Sequence, residues 1–124
     1  MSARTVLYVE DNEFNRKIVR DLLARTSYRL LEAPDGEAGV SLARRELPDL
    51  IVMDIQLPRM SGLDATRALR ADPATAHVPI IVITSFALSG DDQKVKEAGA
   101  TAYLAKPYSP RELLETIRRL APEG

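Results

Sequence analysis

The chain has 124 residues, 45% hydrophobic and 28% charged, a composition typical of one folded domain and not of a disordered or fibrous protein. Seventeen basic and eighteen acidic residues leave a formal charge of −1, without the one-sided positive field on which direct nucleic-acid binding depends. No apolar run is long enough to cross a bilayer, and the absence of cysteine removes disulfides, thiol nucleophiles and thiolate metal sites. We therefore expect a single cytoplasmic domain over residues 1–124 that binds neither membrane nor nucleic acid.

Two kinds of periodicity alternate along the chain. Five short runs predict strands: Thr5–Val9, Arg29–Ala33, Leu50–Met53, Ile80–Ile83 and Ala102–Ala105. The first, third and fourth runs are continuously apolar, which fits strands covered on both faces of a parallel sheet. The second and fifth are more mixed, which is typical of weaker or edge strands.

Helical patterns fill the intervals between the strands. Phe14, Ile18 and Leu22 recur every four residues after the first strand, and similar stripes follow the second strand and close the chain. Capping boxes predict the starts of the last three helices: Ser61 with Asp64, Ser89 with Asp92, and Ser109 with Glu112. Pro110 suits the first position of the fifth helix, and Gly99 suits a left-handed cap at the end of the fourth. Five strands alternating with five helices predict a parallel sheet with helices on both faces.

Polar residues follow four of the predicted strands, where ligands bind in sheets of this kind. Glu10 and Asp11 end the first strand, Asp54 the third, Thr84 the fourth and Lys106 the fifth. Each has an ordinary structural alternative: a strand-end Asp often caps a helix or forms a turn, and a lone lysine is usually solvated. The joint pattern is more specific, because complementary groups end four different strands.

The chemistry of this group favours a divalent cation. Carboxylates brought close together repel one another unless a positive charge joins them, and Mg²⁺ takes one or two carboxylates together with waters and phosphate oxygens. We expect Asp11 and Asp54 to bind the ion directly and Glu10 to act through water, with a backbone carbonyl from the turn at Gln56. Asp54 is then a candidate nucleophile toward phosphorus. Lys106 would balance the charge of the phosphoryl oxygens, and the Thr84 hydroxyl would donate to one of them.

At these positions the sequence resembles the receiver domains of two-component response regulators, the CheY-like superfamily. The resemblance rests on four motifs in order: Val9–Asn12, Met53–Pro58 followed by Met60–Gly62, Ile83–Thr84, and Tyr103–Pro107. It covers essentially the whole chain. It implies a flavodoxin-like (βα)5 fold, a doubly wound parallel five-stranded α/β sheet with strand order 2-1-3-4-5 and helices on both faces.

The resemblance also implies a role for each site residue. These roles are an acidic pair at Glu10 and Asp11, phosphorylation at Asp54, a metal-binding carbonyl at Gln56, a switch hydroxyl at Thr84, an aromatic switch at Tyr103, and a phosphate-binding lysine at Lys106 followed by a cis peptide to Pro107. It implies Mg²⁺ as the cofactor, with Mn²⁺ able to substitute.

The function implied is signalling and not turnover of a separate substrate. A histidine kinase or a histidine phosphotransfer protein would pass a phosphoryl group from phosphohistidine to Asp54. The surface of the fourth helix, fifth strand and fifth helix would then bind a downstream effector protein, and a phosphorylation-dependent homodimer is a further partner. A haloacid-dehalogenase-type phosphatase is disfavoured, because its second Asp is replaced by Gln56.

Among subfamilies, the sequence is similar to the single-domain DivK-type regulators. The similarity lies in residues 9–13 with Asn15, and in residues 86–87 followed by 90–91. Two alternatives stay open: a receiver domain cut from a hybrid kinase, and a receiver-like adaptor that works without phosphorylation. Phe14, Asn15 and Ile18, together with residues 107–109, are candidates for the surface that receives a partner's helices. For Phe14 and Ile18, burial in the core is an equal alternative.

Overall fold

The computed structural model describes residues 3–85 and 91–123. Within these residues the strands are β1 Thr5–Val9, β2 Arg29–Ala33, β3 Leu50–Asp54, β4 Ile80–Thr84 and β5 Ala102–Ala105. The helices are α1 Glu13–Leu23, α2 Gly36–Glu46, α3 Gly62–Ala71, α4 Asp91–Ala98 and α5 Pro110–Leu120. Each strand agrees with its prediction to within one residue. None of the helices in this part of the chain is both long and apolar enough to span a bilayer.

The strands form one parallel sheet in the order β2-β1-β3-β4-β5. β1 lies between β2 and β3, with Val6 paired to Leu30 on one side and to Leu50 on the other. This arrangement confirms the flavodoxin-like, doubly wound order. β2 and β5 lie at the two edges, as their mixed sequences predict. The strand order reverses between β1 and β3, so the carboxyl ends of these two strands flank the crevice where ligands bind in such sheets.

Strand side chains alternate between two hydrophobic clusters, one on each face of the sheet. The first combines strand residues with α2, α3 and α4, and its buried members include Leu7, Ile51, Met53, Leu69, Ile80 and Val95. The second combines strand residues with α1 and α5, and includes Val6, Tyr8, Val52, Ile81, Leu113 and Ile117. Both faces of β1, β3 and β4 are therefore covered, which explains why these strands are apolar without alternation.

Side-chain caps fix where the helices begin. The Ser61 and Ser109 hydroxyls each accept a hydrogen bond from the backbone N–H three residues later, at 3.1 Å, and so confirm these two serines of the predicted capping boxes as N-caps. Pro110 is the first residue of α5, and Gly99, directly after α4, has a φ of 103°. Both agree with prediction. The third box, at Ser89, lies outside the described residues.

The exposure of Phe14 and Ile18 in α1 decides between the two interpretations of these residues, a partner surface or the core. Phe14 is 69% exposed and Ile18 41% exposed, whereas Val19 and Leu23 are buried. The core alternative for Phe14 and Ile18 is therefore wrong. The helix packs through the Val19–Leu23 side of its apolar stripe, so the neighbouring positions are turned outward.

Candidate functional site

The polar residues predicted at the strand ends lie at one edge of the sheet. Asp54 is the last residue of β3, Thr84 is the last of β4, and Glu10 directly follows β1. Strand pairing places Thr84 opposite Ala105, one residue before Lys106. Glu10 and Asp54 are each only 2% exposed. Because these acids are withheld from water, their charge has to be met by partners within the protein or by a bound cation.

An ion pair between Asp54 and Lys106 joins β3 to the end of β5. Lys106 Nζ donates a hydrogen bond to Asp54 Oδ2 at 2.8 Å, and the backbone N–H of Gln56 donates to Oδ1 at 2.9 Å. Burial lowers the pKa of Lys106, but the hydrogen bond to Asp54 and the charges of Asp54 and Glu10 outweigh burial and raise it. The ammonium therefore stays charged at neutral pH, and both oxygens of Asp54 are held in place.

The carboxyl group of Glu10 lies beside two other acids. Burial, the hydrogen-bonding contact with Asp54, the negative charge of Asp54 and a contact with Asp11 raise the pKa of Glu10 from 4.5 to about 7. Lys106 compensates Asp54, but the cluster of Glu10, Asp11, Asp54 and Lys106 holds three acids and one base. Near neutral pH, Glu10 either keeps a proton or needs another positive charge nearby.

The donor atoms at this edge suit a hard divalent cation. Among residues 3–85 and 91–123, no three His, Cys, Asp or Glu side chains are gathered into a ready-made metal cage. Mg²⁺ does not require one, because it commonly takes one or two carboxylates and keeps several waters. The buried Glu10–Asp54 pair, with exposed Asp11 in contact with Glu10, supplies oxygen donors and excess negative charge. Gln56 follows in the turn after β3. The residues present therefore fit Mg²⁺.

The residues predicted to form a switch lie on neighbouring strands. Thr84 is 1% exposed, and its carbonyl accepts a hydrogen bond from the Lys106 N–H at 2.7 Å. Tyr103 pairs with Val82 across the β4–β5 ladder and is 38% exposed. The peptide bond between Lys106 and Pro107 is cis. Thr84 thus lies on the strand between Asp54 and Lys106, while Tyr103 is on the edge strand and partly open to solvent.

The start of α3, at Gly62, packs closely against the backbone of Asp54 and Ile55. The N–H of Gly62 donates to the Ile55 carbonyl at 2.9 Å. A Cβ atom at Gly62 would overlap the carbonyl oxygen of Asp54. Glycine at this position is therefore required by the close approach of two backbone segments.

Sequence reasoning missed two residues beside Glu10 and assigned a third only to a partner surface. Tyr8 and Asn15 donate to the Glu10 carboxylate, and Arg16 donates to its main-chain carbonyl. Tyr8 has a usable sequence signal, because residues two apart in a strand share a face. Arg16 has none, because its contact depends on how α1 packs against the sheet.

A groove of about 450 Å³ lies between α1 and α5, next to Lys106. Its walls are mainly apolar and include Ile18, Leu22, Pro107, Tyr108 and Leu113, with Asn15 and Lys106 among the polar members. Four of the positions predicted for a partner surface line this groove: Asn15, Ile18, Pro107 and Tyr108.

Comparison with known sequences gives a consistent result. The family profile described as the response regulator receiver domain matches residues 6–118. The polar-differentiation response regulator DivK of Brucella anthropi is 43% identical over 115 residues, which cover 93% of this chain and 94% of that protein. DivK of Brucella ovis shows the same identity and coverage.

Solved structures agree with the sequence relatives. The chemotaxis protein CheY4 of Vibrio cholerae superposes with a TM-score of 0.90 at 30% identity, covering 96% of this chain and 99% of that one. The receiver domain of the sensor histidine kinase PA1611 from Pseudomonas aeruginosa has a TM-score of 0.88 at 38% identity, covering 96% and 98%, and carries a magnesium ion coordinated in its active-site cleft. The chain belongs to the response regulator receiver domain family.

Proposed function

We propose that the chain is a phospho-accepting response regulator of a two-component or phosphorelay system, a single receiver domain over residues 1–124 that takes a phosphoryl group onto Asp54. The observation that carries the proposal is the 2.8 Å ion pair between Lys106 and buried Asp54, with the acid Glu10 beside it. This pair gives a fixed carboxylate nucleophile and a cation already placed where phosphoryl oxygens would gather.

The chain's own residues divide the work of phosphoryl transfer. An Asp54 oxygen bonds to phosphorus while the bond from phosphorus to the histidine nitrogen breaks, and the leaving imidazole keeps that electron pair. The Lys106 ammonium exchanges its hydrogen bond to the Asp54 carboxylate for one to an oxygen of the transferred phosphoryl group. The Thr84 hydroxyl donates a hydrogen bond to another of these oxygens. Such transfer depends mostly on positioning and charge stabilisation, so a few groups suffice. The chain would catalyse only its own phosphorylation and dephosphorylation.

Mg²⁺ is the proposed cofactor, with Mn²⁺ able to replace it. Asp11 and Asp54 would hold it directly, Glu10 through water, and Gln56 through its main-chain carbonyl. When bound, the ion supplies positive charge against the phosphoryl oxygens and the crowded carboxylates. The magnesium ion in the cleft of the PA1611 receiver domain supports this assignment.

The proposed partners use two surfaces. The groove between α1 and α5, with exposed Phe14 on the same side of α1, would receive the helices of a histidine kinase or a histidine phosphotransfer protein in the cytoplasm. The α4-β5-α5 surface would signal to an effector protein or to a second copy of the chain. Thr84 would move toward the phosphoryl group, and Tyr103 would turn inward in response.

Labelling by a small acyl phosphate tests the proposal without any partner. With Mg²⁺ present, the intact mass of the wild type should rise by one phosphoryl group, and Asp54→Asn should show no rise. Lys106→Met should label about 100-fold more slowly, as expected for loss of a preorganised donor. Lys96→Met, at an exposed lysine of α4, is the matched control.

Two results would contradict the proposal. Unmodified wild-type protein would favour the adaptor that works without phosphorylation. Rapid turnover of phosphomonoesters would favour a phosphatase.

A further inference from the structure

The start of α1 reaches back to Glu10 through two consecutive residues. Asn15 Nδ2 donates to Glu10 Oε1 at 3.2 Å, and Arg16 Nη1 donates to the main-chain oxygen of Glu10 at 2.7 Å. Arg16 is itself held by ion pairs to Glu13 and to Glu32 of β2, and its side chain is 15% exposed. One helical turn thus restrains both the side chain and the backbone of the same buried acid.

A second donor approaches the same oxygen from the core. The hydroxyl of Tyr8, which is 1% exposed, donates to Glu10 Oε1 at 3.4 Å. The other carboxylate oxygen, Oε2, accepts the backbone N–H of Asn12 at 3.3 Å. A glutamate has several rotatable bonds, so these contacts at 3.2 and 3.4 Å restrict the positions that Oε1 can take before any ligand arrives.

The kind of donor at each position is as informative as its location. The groups that donate to the Glu10 carboxylate are neutral: an amide, a phenol and a backbone N–H. The nearby guanidinium of Arg16 is turned to the carbonyl instead. Neutral donors orient a carboxylate without cancelling its charge, whereas a cationic donor would compete with a metal ion for it.

We propose that Asn15, assisted by Tyr8, is a positioning residue that holds Glu10 Oε1 and keeps the carboxylate ready for a divalent cation. The inference rests on the proposed function, because the cation is the one that phosphorylation requires. Asn15 is not a metal ligand. Its contribution is the orientation of Glu10 at undiminished negative charge.

Metal binding by the full chain tests this role directly. Mg²⁺ affinity is measured by titration calorimetry, and Mn²⁺ affinity by the electron paramagnetic resonance of the free ion. Asn15→Ala should weaken both by up to roughly 10-fold, the lower end of the range for residues that orient metal ligands, because Glu10 itself acts on the ion through water. Asn15→Lys should weaken them further, because its ammonium would neutralise Glu10. Lys17→Ala, at an exposed position of the same helix, should leave affinity and melting temperature unchanged.

Labelling at different metal concentrations separates positioning from a general structural effect. Asn15→Ala should regain the wild-type labelling rate at saturating Mg²⁺ and should melt at the temperature of Lys17→Ala. Tyr8→Phe removes the other side-chain donor to Oε1 and provides the same test if Asn15→Ala does not fold. If the wild type binds the metal and folded Asn15→Ala or Tyr8→Phe binds it equally well, the inference is wrong. If the wild type binds no metal, the proposed cofactor fails as well.

Discussion

Charge is unevenly matched among the buried groups of the site. Asp54 has Lys106 at 2.8 Å, while the described donors to the Glu10 carboxylate are neutral and two other acids, Asp11 and Asp54, lie beside it. Lys106 keeps 28% of its side chain exposed, so this end of the site remains open to an incoming group. When Glu10 is ionised, its negative charge is therefore uncompensated, and it lowers the free energy of unfolding whenever no cation is bound.

This imbalance predicts that the metal-free protein loses stability as the pH rises. The pKa of Glu10 is about 7 in the folded state, above its ordinary 4.5, so the folded protein holds an extra proton between these values. The resulting stabilisation is fully present below about pH 4.5 and is lost as the pH passes 7, a change on the order of 3 kcal/mol. Urea unfolding in chelator from pH 5 to pH 8 measures it.

Glu10→Gln provides the control for this pH dependence. The amide cannot ionise, so this component of the profile should disappear while the other titrations remain. Mg²⁺ should recover much of the wild type's lost stability at pH 8, because it supplies the missing positive charge. Parallel wild-type and Glu10→Gln profiles would show that Glu10 does not carry the effect.

The charged residues of the site can be predicted from the sequence more readily than the neutral residues that hydrogen-bond to them. Asp54 and Lys106 stand at strand ends, and a parallel sheet brings its strand ends to one edge, so their meeting follows from topology. The contact of Asn15 with Glu10 depends on the pitch and rotation of α1 over the sheet. No spacing rule fixes that rotation, as the exposed Phe14 and Ile18 also show.

Helix ends carry strain at one position that the sequence does not reveal. α2 is capped by Leu47, whose backbone is left-handed with a φ of 48° and whose side chain is 56% exposed. Glycine is the usual residue in this conformation, because a Cβ there meets the backbone. α4 follows that rule with Gly99, and α2 does not.

Leu47→Gly should therefore stabilise the protein. We expect it to be about 1 kcal/mol more stable than Leu47→Ala, which removes the same exposed apolar surface but keeps the Cβ. Thermal and urea unfolding of the two variants measure the difference. If the alanine variant is as stable as the glycine variant, the left-handed backbone carries no strain.

The junction between β3 and α3 tolerates no side chain. Gly62→Ala would drive a Cβ into the Asp54 carbonyl, and backbone atoms cannot move aside as a side chain can. We expect a loss of about 3 kcal/mol in the free energy of unfolding, with slower phosphorylation of the displaced Asp54. Urea unfolding and acyl-phosphate labelling measure the two effects.

Gly36→Ala is the matched control for this junction. Gly36 is also the first residue of its helix, but a Cβ there would lie 3.0 Å from the Met60 carbonyl oxygen and 3.2 Å from the Met60 side chain. Its cost should be about 1 kcal/mol, because a shift of a few tenths of an ångström relieves these contacts, whereas the overlap at Gly62 requires a much larger backbone movement. Equal costs for both alanine variants would show that helix propensity, not the close approach to Asp54, decides the outcome.

Two separate hydrophobic clusters lie on opposite faces of the sheet. The cluster under α2, α3 and α4 and the cluster under α1 and α5 share only the sheet between them. The alternation of strand and helix patterns was enough to predict this three-layer architecture, because each strand must supply both clusters. Which helix face meets the sheet, and how far Tyr103 is exposed, depend on three-dimensional packing that no sequence pattern specifies.

The proposed switch would carry a change at Asp54 to the edge strand β5 through β4, which pairs with both β3 and β5. Thr84 is buried at the end of β4, and its carbonyl already bonds to the backbone of Lys106. If the Thr84 hydroxyl moves toward a phosphoryl group, space opens beside β5 for Tyr103. Phosphorylated wild-type protein should therefore show altered hydrogen exchange in peptides of β5 and α5.

Thr84→Ala should be phosphorylated at a rate within about 10-fold of the wild type, because one neutral hydrogen bond contributes about 1 kcal/mol. Its hydrogen exchange in β5 and α5 should not change on phosphorylation. Thr66→Ala removes another buried hydroxyl, one bonded to the Gly62 carbonyl within α3, and should leave the response intact. Mass spectrometry reports labelling and exchange on the same samples. A full exchange response in labelled Thr84→Ala would mean that the signal crosses the molecule by another path.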